Sequence, residues 1–195
     1  MTSKAPTAVA LLGGSFNPPH IAHVLATAYV LSTSSAQQVW WIPVFRHALA
    51  KRTELLPFSE RSTMARLACE IFGDRVLVSE IEREMGGTSY TVDTVAELQR
   101  QNPNTAFFLV VGSDIFAESH LWKDWDRLRE LLPFIVLHRT GTVPPPGEPA
   151  SPPLPPLSSR EVRERLLAGL PCDTLVPKAV LNHIHTRHLY SGDHI

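Results

Sequence analysis

The residues best suited to chemistry lie in one short stretch, Gly13-Gly14-Ser15-Phe16-Asn17-Pro18-Pro19-His20-Ile21-Ala22-His23. Glycines let a backbone approach a phosphate closely, and a helix start offers unpaired N–H groups at a positive dipole end. His20 and His23 are three residues apart, so on a helix both imidazoles face the same way and can hydrogen-bond one group. The pattern predicts an anion site in which two histidines face one phosphate.

Two other interpretations of this stretch stay open. One is an ordinary turn between a strand and a helix with histidines on its surface, and the other is a zinc site that uses the same histidine pair. No further cysteine or histidine ligand stands nearby, which disfavours zinc. The G-x-G-x-x-G fingerprint is absent, which disfavours a dehydrogenase with bound NAD.

A second candidate phosphate site begins at Ser158-Ser159. Ser158 and Glu161 match a capping box, so a helix is predicted to start here. Its free N–H groups, its serine hydroxyls and the guanidinium of Arg163 suit a triphosphate. The same helix carries a predicted buried stripe made of Val162, Leu166 and Leu167. From the residues alone, a capped helix without a ligand is the preferred interpretation.

Basic side chains follow the second predicted strand, and they could reach a departing pyrophosphate. Arg46 and Lys51 lie in this loop, which is expected to rise at the carboxyl end of the sheet, where ligands of parallel sheets bind. A solvated surface lysine is the alternative interpretation of Lys51.

Two residues near the fourth predicted strand suit the organic parts of a nucleotide. Asp114 ends this strand, where it could accept hydrogen bonds from ribose hydroxyls or instead cap a helix. Trp122 follows in the next loop, where its indole could stack on a pyridine ring or belong to the core. Trp125 could pack inward.

Other reactive side chains are expected to be structural. His183, His185 and His188 form a cluster, but the first two do not share a helix face and no acidic or cysteine partner is spaced beside them. A metal tract is therefore disfavoured. Cys69 lies among apolar residues and is interpreted as a small core hydrophobe.

Strands and helices alternate along the chain and must position these residues. Short apolar runs predict strands at residues 8–12, 39–44, 76–78, 107–111 and 134–137. Helices are predicted at residues 21–31, 58–72, 91–98 and about 121–131, followed by two more at the end of the chain. Thr91 is expected to cap its helix. The helix at 58–72 has a predicted buried face made of Met64, Leu67, Ala68, Ile71 and Phe72.

The alternation predicts an α/β fold: a Rossmann-like open parallel sheet with helices on both faces and a small C-terminal helical extension. One domain is expected over residues 1–195. Residues 143–157 contain eight of the 17 prolines and are expected to form an extended surface connection. A proline-rich ligand for a partner domain is the alternative. Residues 158–195 would be a C-terminal helical part of the same domain.

The composition limits the kinds of partner that the chain is expected to bind. It has 195 residues, of which 44% are hydrophobic and 19% charged, with a formal net charge of −1. This near-neutral balance argues against a general nucleic-acid or anionic-membrane surface. No apolar run spans a bilayer, the start lacks a secretory signal, and Cys69 and Cys172 form no paired motif. A soluble cytoplasmic protein is expected, and a homo-oligomer stays open.

The stretch 13–23 resembles the signature of the nucleotidyltransferase α/β-phosphodiesterase superfamily, and specifically that of bacterial nicotinate-nucleotide adenylyltransferases. Further blocks resemble the same family in the right order almost to the end of the chain. These blocks are Pro57-Phe58-Ser59-Glu60-Arg61 with Met64, Ser89-Tyr90-Thr91 with Thr94, Gly112-Ser113-Asp114, Trp122, and Leu157-Ser158-Ser159 with Val162-Arg163. Several ordered blocks are much more specific than one.

The resemblance implies transfer of the adenylyl group of ATP to the 5′-phosphate of nicotinate mononucleotide, giving nicotinate adenine dinucleotide and pyrophosphate in NAD biosynthesis. It implies Mg²⁺ bound through the ATP phosphates, with no protein ligand required. In the family, the block matching Ser158-Ser159 binds the β- and γ-phosphates. A tryptophan in the block of Trp122 stacks on the nicotinate ring, and backbone amides around Ser89-Tyr90-Thr91 meet its carboxylate.

Pattern and resemblance together give three groups of expected site residues. The expected catalytic residues are His20, His23, Arg163 and Lys51. The expected ATP- or phosphate-binding residues are Gly13, Gly14, Ser15, Phe16, Ser158, Ser159, Gly112 and Asp114. The expected acceptor-binding residues are Ser89, Tyr90, Thr91 and Trp122. No protein metal ligand is expected.

The chain departs from the family pattern at a few positions. Asn17 stands where many relatives have Asp, Ala22 where Gly is common, and Arg160 where Thr is usual. The loop that contains Lys51 lacks the usual Pro-Pro-His-Lys order, so His47 does not match a family residue clearly. Three rivals stay open: nicotinamide mononucleotide as the acceptor, phosphopantetheine as the acceptor, and a non-catalytic nucleotide-binding sensor.

Overall fold

Five parallel strands form one sheet at the centre of the molecule. The strands are β1 (Thr7–Gly14), β2 (Gln38–Pro43), β3 (Val76–Val78), β4 (Thr105–Gly112) and β5 (Phe134–Leu137). They lie in the order β3-β2-β1-β4-β5. The structure is a computed structural model that describes residues 7–47, 55–138 and 151–191.

Helices cover both faces of the sheet. They are α1 (Ile21–Thr33), α2 (Phe58–Cys69), α3 (Ile81–Met85), α4 (Thr91–Gln101), α5 (Trp125–Leu131), α6 (Ser159–Leu167) and α7 (Lys178–Thr186). Successive side chains of a strand point to opposite faces. Ala10 and Leu12 of β1 accordingly pack in the core beneath α1, α2, α6 and α7, whereas Val9 and Leu11 pack in the core beneath α4 and α5. The predicted Rossmann-like α/β fold is confirmed.

The strand order creates a switch point beside β1. The chain passes from β1 to β2 and β3 on one side, and then crosses to β4 and β5 on the other. Leu12 lies opposite Val110, so Gly14 and Gly112 end adjacent parallel strands at the same edge. Ligands of open α/β sheets bind outside the carboxyl ends of the strands at such a point.

The predicted helix at residues 58–72 is shorter in the structure. α2 ends at Cys69, and a 3₁₀ segment follows at Glu70–Arg75, within which Gly73 has a φ of 56°. The turn changes the direction of the side chains beyond the α-helix. Ile71 is therefore 78% exposed, and its predicted place in the core is wrong. Leu167, at the last position of α6, is 47% exposed and likewise outside the core.

The region after β4 also differs from the prediction. Two 3₁₀ turns, Ser113–Phe116 and Ser119–Leu121, precede α5, which begins at Trp125 and not near residue 121. Asp124 precedes it with a left-handed φ of 49°. The short helix α3 was not predicted. Thr91 is the first residue of α4, whose N-cap is Tyr90, so the predicted capping role of Thr91 is wrong.

The C-terminal helices pack on the sheet. Val162 of α6 and Val180 and Ile184 of α7 are buried in the same core as Ala10. Of the predicted proline-rich connection at 143–157, residues 143–150 lie outside the described residues. The remainder lies beside β5, where the hydroxyl of Ser151 accepts a hydrogen bond from the N–H of His138 at 2.6 Å. Within the described ranges no helix is long and apolar enough to cross a bilayer.

Candidate active site

Gly13 and Gly14 are the last two residues of β1. A Cβ atom added to Gly13 would meet nothing within 4 Å, so the space above this residue is open to a ligand. A Cβ atom added to Gly14 would lie 3.2 Å from the ring of Phe16, which is tighter than ordinary contact. The first glycine therefore leaves room for a ligand, and the second leaves room for Phe16.

The loop of residues 15–19, called the first loop below, is held by donors from distant elements. Arg61 donates to the carbonyl of Ser15 at 2.9 Å, and Arg163 donates to the carbonyl of Asn17 at 2.6 Å. Ser159 donates through its hydroxyl to the carbonyl of Pro18 at 2.8 Å. Because three of its carbonyl groups are bonded to α2 and α6, the loop is fixed before any ligand arrives.

Arg61 was not predicted as a site residue. It is only 1% exposed, and burial lowers the pKa of its guanidinium. Its Nε donates to the carbonyl of Leu56 at 2.9 Å in addition to the bond with Ser15. Arg61 shares helical spacing with Met64, Ala65 and Ala68, which are all buried. A charged residue on the buried face of an amphipathic helix is the sequence signal that could have identified it.

Asn17 is fully buried and takes part in a long-range contact. Its Oδ1 accepts a hydrogen bond from the hydroxyl of Tyr190 at 2.8 Å and a longer one from the N–H of Leu56 at 3.4 Å. Burial raises the pKa of Tyr190, which keeps its hydroxyl protonated as a donor. No sequence signal pairs these residues, because they are 173 positions apart.

The rings of the two histidines in the first motif lie side by side, tilted by 39°. Their ring centroids are 3.9 Å apart, and the N–H of His20 donates to Nδ1 of His23 at 3.2 Å. An accepting Nδ1 places the proton of a neutral His23 on Nε2, where it can be donated to a phosphate oxygen. His20 is the N-cap of α1 and is buried, whereas His23 is half-buried.

The backbone amides at the start of α1 are less available than predicted. The N–H of Ile21 donates to the carbonyl of Leu175 at 2.8 Å, and the N–H of His23 donates to the carbonyl of His20 at 2.9 Å. Two of the helix-start donors are thus already used. The predicted phosphate site can therefore draw on fewer backbone N–H groups here than the sequence indicated.

The ring of Phe16 packs between His23 and Trp41. Its ring is fully buried, stacks on Trp41 with centroids 4.6 Å apart, and lies 5.0 Å from the ring of His23. The indole of Trp41 donates to the hydroxyl of Thr27 at 2.9 Å, and Thr27 donates to the carbonyl of His23 at 2.9 Å. The side chain of Phe16 therefore belongs to the core, and its predicted phosphate contact is left to its backbone, which has a φ of 48°.

The start of α6 is built as the capping pattern predicted. The hydroxyl of Ser158 accepts a hydrogen bond from the N–H of Glu161 at 3.2 Å, which is the serine half of the box. Burial, and to a lesser degree the positive charge of Arg160, lower the pKa of Arg163. The exposed Ser158 and Arg160 flank a helix start whose dipole favours an anion.

Asp114 follows the end of β4. It is half-buried in the 3₁₀ turn Ser113–Phe116, whose N-cap is Gly112. The alternative interpretation of Asp114 as a helix cap is therefore wrong for this turn. Gly112 and Asp114 stand at the switch point next to Gly14, where the ribose of a nucleotide would lie.

The block around Ser89 pairs with the segment that follows β2. Ser89 forms an isolated parallel bridge with His47, and its N–H donates to the carbonyl of Arg46 at 2.9 Å. Lys123 lies over the ring of Tyr90 at 4.6 Å and forms an ion pair with Asp93 at 2.8 Å. These contacts bring the residue that follows Trp122 against the start of α4. The segment that carries Trp122 therefore lies close to the segment that carries Tyr90.

The two tryptophans of this region have different surroundings. Trp125 packs edge-on against Phe116 and Phe134, with centroids 5.9 and 5.5 Å apart, so it belongs to the core as the sequence suggested. Trp122 is half-buried and meets Trp125 edge-on at 6.1 Å. Trp122 also packs against the core beneath α4 and α5.

The remaining reactive side chains are structural or fall outside the described ranges. Lys51 lies among residues that the structure does not describe. His183 donates to Glu60 at 2.8 Å, and Arg187 binds the same carboxylate at 2.9 Å. Within the described residues no group of three His, Cys, Asp or Glu side chains could hold a metal ion. Cys69 is a free, buried thiol whose pKa burial raises to about 12.

A family model described as cytidylyltransferase-like matches residues 11–165. A protein of Anaeromyxobacter dehalogenans (strain 2CP-C), named probable nicotinate-nucleotide adenylyltransferase, is 43% identical over 187 residues, with 94% of this chain and 97% of the relative covered. A protein of the same name from Myxococcus xanthus (strain DK1622) is 37% identical over 182 residues, with 93% and 94% covered. The chain belongs to the nicotinate-nucleotide adenylyltransferases of the cytidylyltransferase-like family.

Solved structures with known or proposed activities share this fold. The nicotinic acid mononucleotide adenylyltransferase of Plasmodium falciparum, complexed with NaAD, aligns with a TM-score of 0.79 at 19% identity, covering 94% of this chain and 97% of that one. A putative nicotinate-nucleotide adenylyltransferase of Vibrio parahaemolyticus aligns with a TM-score of 0.72 at 18% identity, covering 95% and 99%. At such low identity these alignments establish the shared fold.

The structure shows where the three departures of this chain from the family pattern lie. Asn17 accepts hydrogen bonds through the same kind of oxygen that an aspartate would offer. Ala22 is buried in the first turn of α1, and Arg160 is exposed beside the start of α6. None of the three removes a group that the candidate site uses.

Proposed function

We propose that this chain transfers the adenylyl group of ATP to the 5′-phosphate of nicotinate mononucleotide, giving nicotinate adenine dinucleotide and pyrophosphate in NAD biosynthesis. The observation that carries the proposal is the close pair of His20 and His23, whose ring centroids are 3.9 Å apart, after the open Gly13 at the carboxyl end of β1. The names of relatives that align over nearly the whole chain support the same reaction.

The proposed chemistry is one direct displacement. An oxygen of the acceptor's 5′-phosphate attacks the α-phosphorus of ATP, the bond to the bridging oxygen breaks, and pyrophosphate leaves with the electron pair. No protein nucleophile is required. The protein holds two anions in line against their repulsion and stabilises the charge that spreads over the α-phosphoryl oxygens. His20 and His23 are the proposed donors to that group.

The departing pyrophosphate is assigned to the start of α6. The proposed donors there are the hydroxyl of Ser158, the backbone N–H of Ser159 and the guanidinium of Arg163, and the exposed Arg160 adds positive charge. Arg163 also bonds to the carbonyl of Asn17, so the first loop and this phosphate site share one side chain. Lys51, from the loop after β2, would complete the positive charge around the leaving group.

Mg²⁺ is proposed to arrive with ATP. The described residues offer no cluster of protein ligands, and such a site fits an ion that is held by phosphate oxygens and water. When bound, the ion would neutralise phosphate charge. The protein residues named above would then orient the phosphates.

The acceptor is assigned to the side of the sheet where α4 and α5 meet. Trp122 offers a half-buried indole for the pyridine ring, and the next residue, Lys123, lies over the ring of Tyr90 in the Ser89-Tyr90-Thr91 block. A carboxylate on the ring prefers N–H donors alone, whereas an amide also needs an acceptor. Backbone N–H groups of this block therefore favour nicotinate over nicotinamide.

A cytoplasmic location belongs to the same proposal. Both cysteines are free and buried, which suits a reducing compartment. The proposed partners are ATP and nicotinate mononucleotide, with no nucleic acid. Self-association into a homo-oligomer stays a prediction.

The test of the function is pyrophosphate release by the purified protein with ATP and Mg²⁺, with three acceptors in parallel: nicotinate mononucleotide, nicotinamide mononucleotide and phosphopantetheine. A clear preference for the first in kcat/KM is the expected result. Preference for another acceptor would keep the mechanism and overturn the assignment of the pyridine pocket. ATP binding without turnover of any acceptor would indicate a nucleotide sensor.

A further inference from the structure

A buried carboxylate stands where the segments of the candidate acceptor site meet. Glu82 lies on α3 and is only 8% exposed. Its Oε2 accepts a hydrogen bond from the backbone N–H of Phe45 at 2.9 Å, and its Oε1 accepts one from the hydroxyl of Thr94 at 3.2 Å. The first bond reaches the segment after β2 and the second reaches α4. One side chain therefore joins two elements that flank the acceptor.

Ser89 completes the same junction. Its hydroxyl hydrogen-bonds to Glu82, and it accepts the N–H groups of Phe45 and Arg46, both at 3.2 Å. A serine hydroxyl has one hydrogen to donate and two lone pairs to accept, so these three bonds use its full capacity. The side chain of Ser89 is therefore committed to the protein, and the acceptor must be met by its neighbours in the block.

An electrostatic interaction between Glu82 and Arg61 links this junction to the candidate phosphate site. Burial raises the pKa of Glu82, whereas its hydrogen bonds and the positive charge of Arg61 act in the opposite direction. Arg61 in turn holds the carbonyl of Ser15 in the first loop. The two buried, oppositely charged side chains thus stand between the loop that faces ATP and the block that faces the acceptor.

We propose that Glu82 is a positioning residue for acceptor binding: its carboxylate fixes the backbone of residues 45–47 against the Ser89-Tyr90-Thr91 block. The inference rests on the proposed function and adds to it a residue that touches neither substrate. Amides that recognise a planar carboxylate must be held closely, because a displacement of about 1 Å in such a site costs up to about 10²-fold. Without the carboxylate, the N–H of Phe45 and the hydroxyl of Thr94 lose their shared acceptor.

The experiment compares Glu82→Gln and Glu82→Ala with Glu84→Gln, an exposed position on the same helix. Glutamine keeps one oxygen for the N–H of Phe45, whereas alanine keeps none. The KM for nicotinate mononucleotide should rise several-fold in Glu82→Gln and about tenfold or more in Glu82→Ala. The KM for ATP should stay within about twofold, because Arg61 and Arg163 still hold the first loop. Glu84→Gln should behave as the unaltered protein.

A second readout separates positioning from general damage. Amide exchange followed by NMR should show faster exchange at Phe45 and Arg46 in Glu82→Gln, with α1 and α6 unchanged. Equal increases in both KM values, or acceptor KM values that match Glu84→Gln, would overturn the role of Glu82. Absence of turnover by the unaltered protein and by Glu84→Gln alike would instead overturn the proposed function, and the inference with it.

Discussion

At the scale of single residues, three contacts fix the position of His23. Its Nδ1 accepts the N–H of His20, its carbonyl accepts the hydroxyl of Thr27, and its ring lies against Phe16. A side chain constrained on three sides needs little reorganisation when a phosphate arrives. That arrangement is typical of a group that stabilises charge during a reaction.

Replacement of His23 by Ala is expected to lower kcat by about 10²- to 10³-fold, since one pre-positioned donor to the α-phosphoryl group is lost. The measurement is steady-state pyrophosphate release, together with a thermal unfolding curve that confirms folding. His185→Ala is the matched control, because His185 is exposed on α7. A folded His23→Ala protein with a near-normal kcat would contradict the assignment.

The sequence predicted some of these residues and not others for a physical reason. The pairing of His20 with His23 follows from helix geometry alone, since residues three apart share a face. Glu82 and Tyr190 gave no local signal, because their partners lie 37 and 173 positions away and are chosen by tertiary packing. Arg61 did carry a local signal, because it is a charged residue on the apolar face of a helix, although it was not among the predicted site residues.

At the scale of elements, α6 serves both stability and the phosphate site. Ser158 satisfies the N–H of Glu161, and its helix start is the proposed site of the β- and γ-phosphates. The two roles have different requirements. A cap needs an oxygen acceptor, whereas a phosphate site must also avoid negative charge.

Two substitutions at Ser158 are expected to separate the roles. Ser158→Ala removes the cap and should lower the free energy of unfolding by about 1 kcal/mol. Ser158→Asp keeps a capping oxygen and should leave stability nearly unchanged, yet raise the KM for ATP about tenfold or more through charge repulsion. Urea unfolding and ATP titration of turnover measure the two effects. Equal KM values for ATP in both variants would argue against a phosphate at this helix.

Strands and long helices were predicted well, because each carries its own apolar period. β3 and β5 have the predicted bounds, and the remaining strands differ only at their ends. The errors fall in segments without such a period. The start of α5 depends on a left-handed Asp124 and on two 3₁₀ turns, and the end of α2 depends on Gly73. Turn geometry of this kind is set by the surrounding structure.

At the scale of the whole molecule, the C-terminal part of the chain is bound to α2. Glu60 of α2 accepts hydrogen bonds from His183 and Arg187, and the bond from His183 is the main reason that the pKa of Glu60 lies below 4.5. Together with the shared core, this contact leads us to propose that the chain unfolds as a single cooperative domain.

Glu60→Gln should lower the free energy of unfolding by about 1 kcal/mol at pH 7, since it removes a charged, half-buried acceptor. The folded-state pKa of Glu60 is depressed, so its contribution is full above the unfolded value of 4.5 and is lost as pH falls through the folded value. Urea unfolding across this range should therefore show the two proteins converging in acid. Glu130→Gln, at an exposed position on α5, is the control. A difference that stays constant from pH 7 to acid would rule out the ion pair.

The hydrogen bond between Tyr190 and Asn17 has a consequence for folding during translation. The ribosome produces Asn17 early and Tyr190 about 170 residues later, by which time β1 has long left the exit tunnel. The carbonyls of the first loop also wait for Ser159 and Arg163. A growing chain therefore carries both histidines without the frame that orients them. Catalytic competence should appear only after the last helices have been released, so nascent chains do not consume ATP.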